Sequence, residues 1–184
     1  MALRRRAPLL VGAVTALCLG AGACTPTDPP SASPSPSATP TETELERQTR
    51  LDFEAAEKAY RTFSAEYDRL SNAGGAAGPS AVMKENGAGP LLDAARGALR
   101  DQLKRGERTT GSVHIVWIRH GAYSPAKLTL NTCEDGSSVR ITDKSGKAVG
   151  NGSIGTASVE VRKLDGRWKA WDLSDDKDVT SCDG

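Results

Sequence analysis

The chain has 184 residues, with 24 Lys and Arg against 23 Asp and Glu, for a formal net charge of +1. That balance excludes a nucleic-acid binder acting through bulk charge, since neutralising phosphates needs a clustered excess of Lys and Arg. Aromatic residues make up only 4%, too few for a run of base-stacking platforms, and two His with four Cys leave few ligands for a multi-metal centre.

The first 24 residues read as an address. Arg4, Arg5 and Arg6 form a basic patch, Leu9 to Leu19 is almost unbroken apolar sequence, and Gly20-Ala21-Gly22-Ala23 leads into Cys24. This is the order of a secretory signal, and the apolar run is shorter than the roughly 20 residues a bilayer span needs. Gly22-Ala23-Cys24 resembles a bacterial lipobox, with Ala21 where that signal usually has Leu. The resemblance implies cleavage before Cys24, acylation of its sulfur and a membrane partner through that anchor. It places the protein on the extracytoplasmic face of the cell membrane. Removing residues 1–23 takes away three Arg and no acidic residue, so the remaining 161 residues carry −2.

Residues 25–41, TPTDPPSASPSPSATPT, contain six Pro and eight Ser or Thr. Such composition favours extended polyproline-like conformers and builds no core. At about 3.1 Å per residue it could reach roughly 50 Å, so 24–41 reads as an anchor Cys with a spacer. Residues 42–184 hold only three Pro (Pro79, Pro90, Pro125), and that compositional step marks the folded domain.

Helices come first. Thr43-Glu44-Leu45-Glu46 has capping-box spacing, and Phe53, Ala56, Tyr60, Phe63, Tyr67 and Leu70 then recur at steps of three and four. Ser71-Asn72-Ala73-Gly74-Gly75 ends this helix. A short helix is expected over 80–86. A third opens at Pro90, with Leu92, Ala95, Leu99 and Leu103 on one stripe, and stops at Gly106.

Strands follow over 112–120, 126–133, 138–142, 156–164 and 167–173, with turns at Asp143-Lys144-Ser145-Gly146 and Asp165-Gly166. Helices then strands, without βαβ alternation, predict an α+β fold with an antiparallel sheet.

The Tyr60/Phe63/Tyr67 face, the Leu91-Leu92 helix and the closing hairpin at Leu164-Asp165-Gly166-Arg167-Trp168 together resemble the NTF2-like, or cystatin-like cone, proteins. With the lipobox and spacer, the chain resembles small NTF2-like lipoproteins. The resemblance implies N-terminal helices packed on a curved antiparallel sheet, with a cone whose mouth can take a small molecule. Such proteins often dimerise through the sheet, so a homodimer is open. The family holds isomerases, dehydratases and non-catalytic members, so fold alone does not supply function.

Once Cys18 is removed and Cys24 acylated, Cys133 and Cys182 remain in a compartment that permits disulfides. The expected bond pins the C-terminal tail onto the 126–133 strand. The alternative, a redox-active pair, lacks C-x-x-C spacing.

The chemistry-bearing residues are sparse. His114 and His120 lie six apart on one expected strand and so on one face. A His general base needs an orienting partner, for which Asp172, Asp68 and Asp52 are available. Gly150-Asn151-Gly152-Ser153-Ile154-Gly155 matches G-x-G-x-x-G, yet a strand follows where a phosphate cradle needs a helix. Asp172, Asp175, Asp176 and Asp178 read as a solvated acidic tail without EF-hand spacing. No metal site or cofactor is expected.

Trp168 and Trp171 have opposite parity, so one should face the core and the other outward as a binding surface. The leading expectation is a non-catalytic, membrane-tethered module binding an envelope protein or a small ligand, with Trp168, Trp171 and His114 as contact residues. The rivals are a cone-type isomerase or dehydratase using His114 or Asp172 as base, and a structural spacer of an envelope assembly.

Overall fold

The computed structural model describes residues 42–183; the signal, lipobox and spacer expectations lie outside them. Helix α1 (Glu44–Asn72) begins at the predicted capping box. Thr43 Oγ1 accepts from the Glu46 amide, and the Glu46 carboxylate accepts from the Thr43 amide at 2.8 Å. Helix α2 (Ala81–Asn86) is capped by Ser80. Helix α3 (Gly89–Arg105) carries Pro90 in its first turn and ends at Gly106, whose φ of 66° is the left-handed value that favours glycine.

Among the described residues seven strands follow: β1 (Arg108–Thr110), β2 (His114–Ser124), β3 (Lys127–Asp135), β4 (Arg140–Thr142), β5 (Ala148–Asn151), β6 (Ile154–Leu164) and β7 (Arg167–Val179). Strands β2-β3-β6-β7 form one antiparallel sheet and β1-β4-β5 a second, smaller one. The α+β class and the helices packed on a curved antiparallel sheet are as expected from the sequence. The separate small sheet is not. It forms because the long β3–β6 hairpin folds over at Gly136 and Gly152. There Gly136 N–H donates to Ser153 and Gly152 N–H to Val139. A Cβ on Gly152 would sit 2.9 Å from that of Val139, so only glycine permits this bend. The hairpin tip, β4 and β5, then pairs with β1, too short a strand to announce itself in sequence.

The Asp165-Gly166 turn between β6 and β7 has φ of 50° and 76°, the left-handed pair that matches strand twist. In the Gly150–Gly155 stretch, Gly150 and Asn151 end β5, Gly152-Ser153 connect, and Ile154 and Gly155 open β6, with no helix following. The expected acidic tail is corrected: β7 runs on to Val179, with Asp178 paired to Gly155.

Alternation along β3 places Leu128, Leu130, Thr132 and Glu134 toward α1. Phe53, Ala56 and Tyr60 of α1 pack there with Val159, Val161, Trp168 and Ala170. One turn on, Phe63 packs with Met83, Ala95 and Leu99, joining α1 to α2 and α3. The α2–α3 connection covers the edge of β7, where Ala88 N–H donates to the Ala170 carbonyl at 2.9 Å.

Bulges in β2 and β7 curl the sheet and correct two parity arguments. In β2 an extra residue at Val116 shifts the register, so His120 lies opposite Leu130 while His114 lies opposite Asp135. The two histidines are therefore on different faces. In β7 the extra residue is Trp171, between the Ala170–Val161 and Asp172–Glu160 pairs.

Cys133 and Cys182 form the expected disulfide, with Cα atoms 5.7 Å apart. The tail crosses the outer face of the sheet, where the Trp117 indole donates to the Cys182 carbonyl at 2.8 Å.

Candidate ligand cavity

Helix α1 passes Tyr60, Phe63, Ser64, Tyr67 and Asp68 along one stripe, the i, i+3, i+4, i+7, i+8 spacing of a single helical face. Opposite them α3 presents Leu91, Ala94, Ala95 and Ala98. Three alanines on the facing helix leave the space that larger side chains would fill. With Val113, Glu134 of β3 and Leu173 of β7 these residues line a partly open cavity of about 330 Å³. The volume suits a small molecule.

The walls are mostly apolar, and the polar groups are few. The Tyr60 hydroxyl donates to Glu134 Oε1, and Thr132 Oγ1 reaches the same oxygen at 3.2 Å. Burial, with the Glu134 charge and hydrogen bond, pushes the Tyr60 hydroxyl far above its usual range, so Tyr60 stays a donor. Asp68 forms part of the wall, and its Oδ2 accepts the Val113 amide at 2.8 Å. Burial raises the Asp68 carboxyl, against the pull of the Val113 bond and of His114. Burial also raises the Tyr67 hydroxyl.

Of the residues named in the sequence as candidate bases, their partners or contacts, Asp68 alone lines this cavity, together with the Tyr60/Phe63/Tyr67 face. His114 lies beyond Asp68 in a neighbouring groove with Arg61, Arg69 and Asn72. His120 stacks on Phe53 at 3.9 Å, with the rings within 5° of parallel, and bonds Glu57 at 2.8 Å. Asp172 is exposed and accepts the adjacent Leu173 amide.

Asp52 is 4% exposed at the other end of the α1 face. Its Oδ1 accepts Trp168 Nε1 at 2.9 Å, Gln48 Nε2 at 3.1 Å and Lys163 Nζ at 3.2 Å, and its Oδ2 accepts Tyr123 at 2.8 Å. Four donors saturate a carboxylate, which makes Asp52 a structural strut rather than a base.

Trp168, 6% exposed, is the inward tryptophan. Trp171 is half-buried, with the Gly89 backbone against one part of its ring and the Arg162 guanidinium 4.2 Å over it. Neither offers an open aromatic surface. Among the described residues, no three His, Cys, Asp or Glu side chains converge to hold a metal ion.

Glu134 was missed in the sequence, although its signal was present. It is the charged residue that continues the Leu128, Leu130, Thr132 alternation of the buried face. An acidic group on a core parity is a site candidate.

No protein-family model matches the chain, and no curated protein matches it. Solved structures with a similar arrangement include a candidate aromatic-ring hydroxylase from Novosphingobium aromaticivorans, 13% identical, covering 72% of this chain and 92% of that one at a TM-score of 0.46. A candidate dehydratase of the NTF2-like family from Streptomyces avermitilis is 15% identical, covering 72% and 99% at 0.44. A candidate scytalone dehydratase from Novosphingobium aromaticivorans is 17% identical, covering 73% and 93% at 0.38. Likenesses this distant carry nothing about family or activity.

Proposed function

We propose that the domain is a non-catalytic binding module that takes a small, largely apolar ligand into the cavity between α1, α3 and the sheet. The observation that carries this reading is the cavity itself, with apolar walls and a few convergent polar groups. The isomerase or dehydratase alternative loses support because its two bases, His114 and Asp172, lie outside that cavity. Binding through the sheet face loses support because Trp168 is buried and Trp171 is clamped.

The module works at the outer face of the cell membrane, held by acylated Cys24 on a Pro/Ser/Thr spacer. The basic, apolar and small-residue order before Cys24 supports this placement. Two acyl chains give firm anchoring where one binds marginally.

The test is native mass spectrometry of the full chain purified from its own membranes, beside an Ala98→Phe variant. Ala98 is an exposed α3 residue lining the cavity, so Phe there fills space without disturbing the core. A small-molecule adduct on the wild type that is absent from the variant is expected. A bare wild type that also fails to enhance the fluorescence of N-phenylnaphthylamine, a neutral apolar probe, overturns the reading.

A further inference from the structure

The cavity has an electrostatic sign. Glu134 and Asp68 are both in its lining, which among the described residues contains no Lys, Arg or His. Elsewhere the protein pairs its shielded carboxylates with cations: Asp52 with Lys163 at 3.2 Å, Glu66 with Arg69 at 2.7 Å, Glu107 with Arg105 at 2.7 Å and Glu160 with Arg162 at 2.5 Å. Among the described residues, neither Glu134 nor Asp68 has such an ion pair. Both donors to Glu134, Tyr60 and Thr132, converge on Oε1, and no described hydrogen bond reaches Oε2. Arg61 and Arg69 lie across the α1 wall in the groove with His114, where Arg61 donates to the Ile115 carbonyl and Arg69 is taken up by Glu66.

We propose that the ligand is an organic cation, an amine or quaternary ammonium on an apolar body, with its charge at Glu134 and Asp68. The inference rests on the cavity's being a ligand site. The Tyr60, Thr132 and Val113 donors replace only part of the hydration these half-buried carboxylates lose, and a bound cation supplies the missing counter-charge. Tyr60, Phe63 and Tyr67 add aromatic surface on which an ammonium can sit. The apolar α3 face accommodates the ligand body. An anion of the same shape meets two negative groups and no positive one. Burial raises the Asp68 carboxyl against the pull of the Val113 amide and His114, and a cation bound beside it would pull it down further.

The experiment compares three ligands of one shape by titration calorimetry on the full chain: 1-naphthylmethylamine, 1-naphthalenemethanol and 1-naphthoate. The amine is expected to bind about tenfold more tightly than the alcohol, and the naphthoate most weakly. Glu134→Gln keeps the size and the acceptor for Tyr60 while removing the charge; it should erase the amine's advantage over the alcohol. Asp68→Asn, which retains an acceptor for the Val113 amide, is the independent second variant and should reduce the advantage in the same direction. If the alcohol or the naphthoate matches or exceeds the amine, the cation assignment is overturned while the cavity remains a ligand site. If none of the three binds and N-phenylnaphthylamine also fails to bind, both readings fall together.

Discussion

The Trp168 indole donates to Asp52 across 2.9 Å, tying β7 to the first turns of α1. Asp52 also gathers Tyr123 from β2 and Lys163 from β6, so one carboxylate joins the helix to three strands. Asp52→Ala strands several donors at a site 4% exposed and should cost about 2–4 kcal/mol in urea unfolding. A loss below about 1 kcal/mol would show that the strut is incidental.

The same carboxylate sets a pH dependence. Burial raises its pKa, but the bonds from Trp168, Tyr123 and Lys163 outweigh that and hold it below the ordinary Asp value. A depressed folded pKa means the contribution is present above the unfolded-state value and disappears as pH falls through the folded one. Wild type should therefore lose stability more steeply under acid than Asp52→Asn does. Parallel acid profiles would remove Asp52 from the account.

The sequence made the scaffold readable where signals were local. The Thr43–Glu46 box, Gly106 after α3 and Asp165-Gly166 each carry their geometry in adjacent residues. The site was less readable because bulges at Val116 and Trp171 change parity without a residue type that marks them. His114 and His120 were placed on one face by counting in twos, and a single inserted residue undid the count. The cavity itself depends on what α3 lacks. Ala94, Ala95 and Ala98 look like ordinary helix formers until Tyr60, Phe63 and Tyr67 are seen opposite them.

Gly87 couples scaffold to cavity. It lies where the α2–α3 connection meets β7, and a Cβ there would overlap the Phe63 ring. Phe63 is itself a cavity wall. Gly87→Ala should cost about 1–3 kcal/mol through overpacking and weaken binding of the naphthyl amine. An unchanged melting temperature with unchanged binding would mean that the ring has room to move.

Asp68 should behave in the opposite way to Asp52. Burial holds its carboxyl above the ordinary value, so its charged form opposes folding as pH rises through the folded pKa. Asp68→Asn should be more stable than wild type near neutral pH, by less than about 1 kcal/mol for a half-buried group. The advantage should vanish in acid, where wild-type Asp68 is protonated in both states. An Asn variant less stable at every pH would make the Val113 contact dominant over charge.

The Cys133–Cys182 bond closes a separation of 49 residues. The chain-entropy account gives such a loop about 4 kcal/mol, and measured values often fall lower. Cys133→Ala with Cys182→Ala should therefore cost about 2–4 kcal/mol. It should also free Trp117, whose indole is held by the Cys182 carbonyl, and shift its fluorescence to the red. Ligand binding should not change. Cys133 and Glu134 are neighbours on β3 and project to opposite faces, so the strap lies outside the sheet and the cavity inside. The intact mass before and after reduction establishes whether the bond is present in the purified chain, and calorimetry on the double variant separates the two faces. Lost ligand affinity without unfolding would mean that the strap sets the curvature of the sheet and, through it, the position of Glu134.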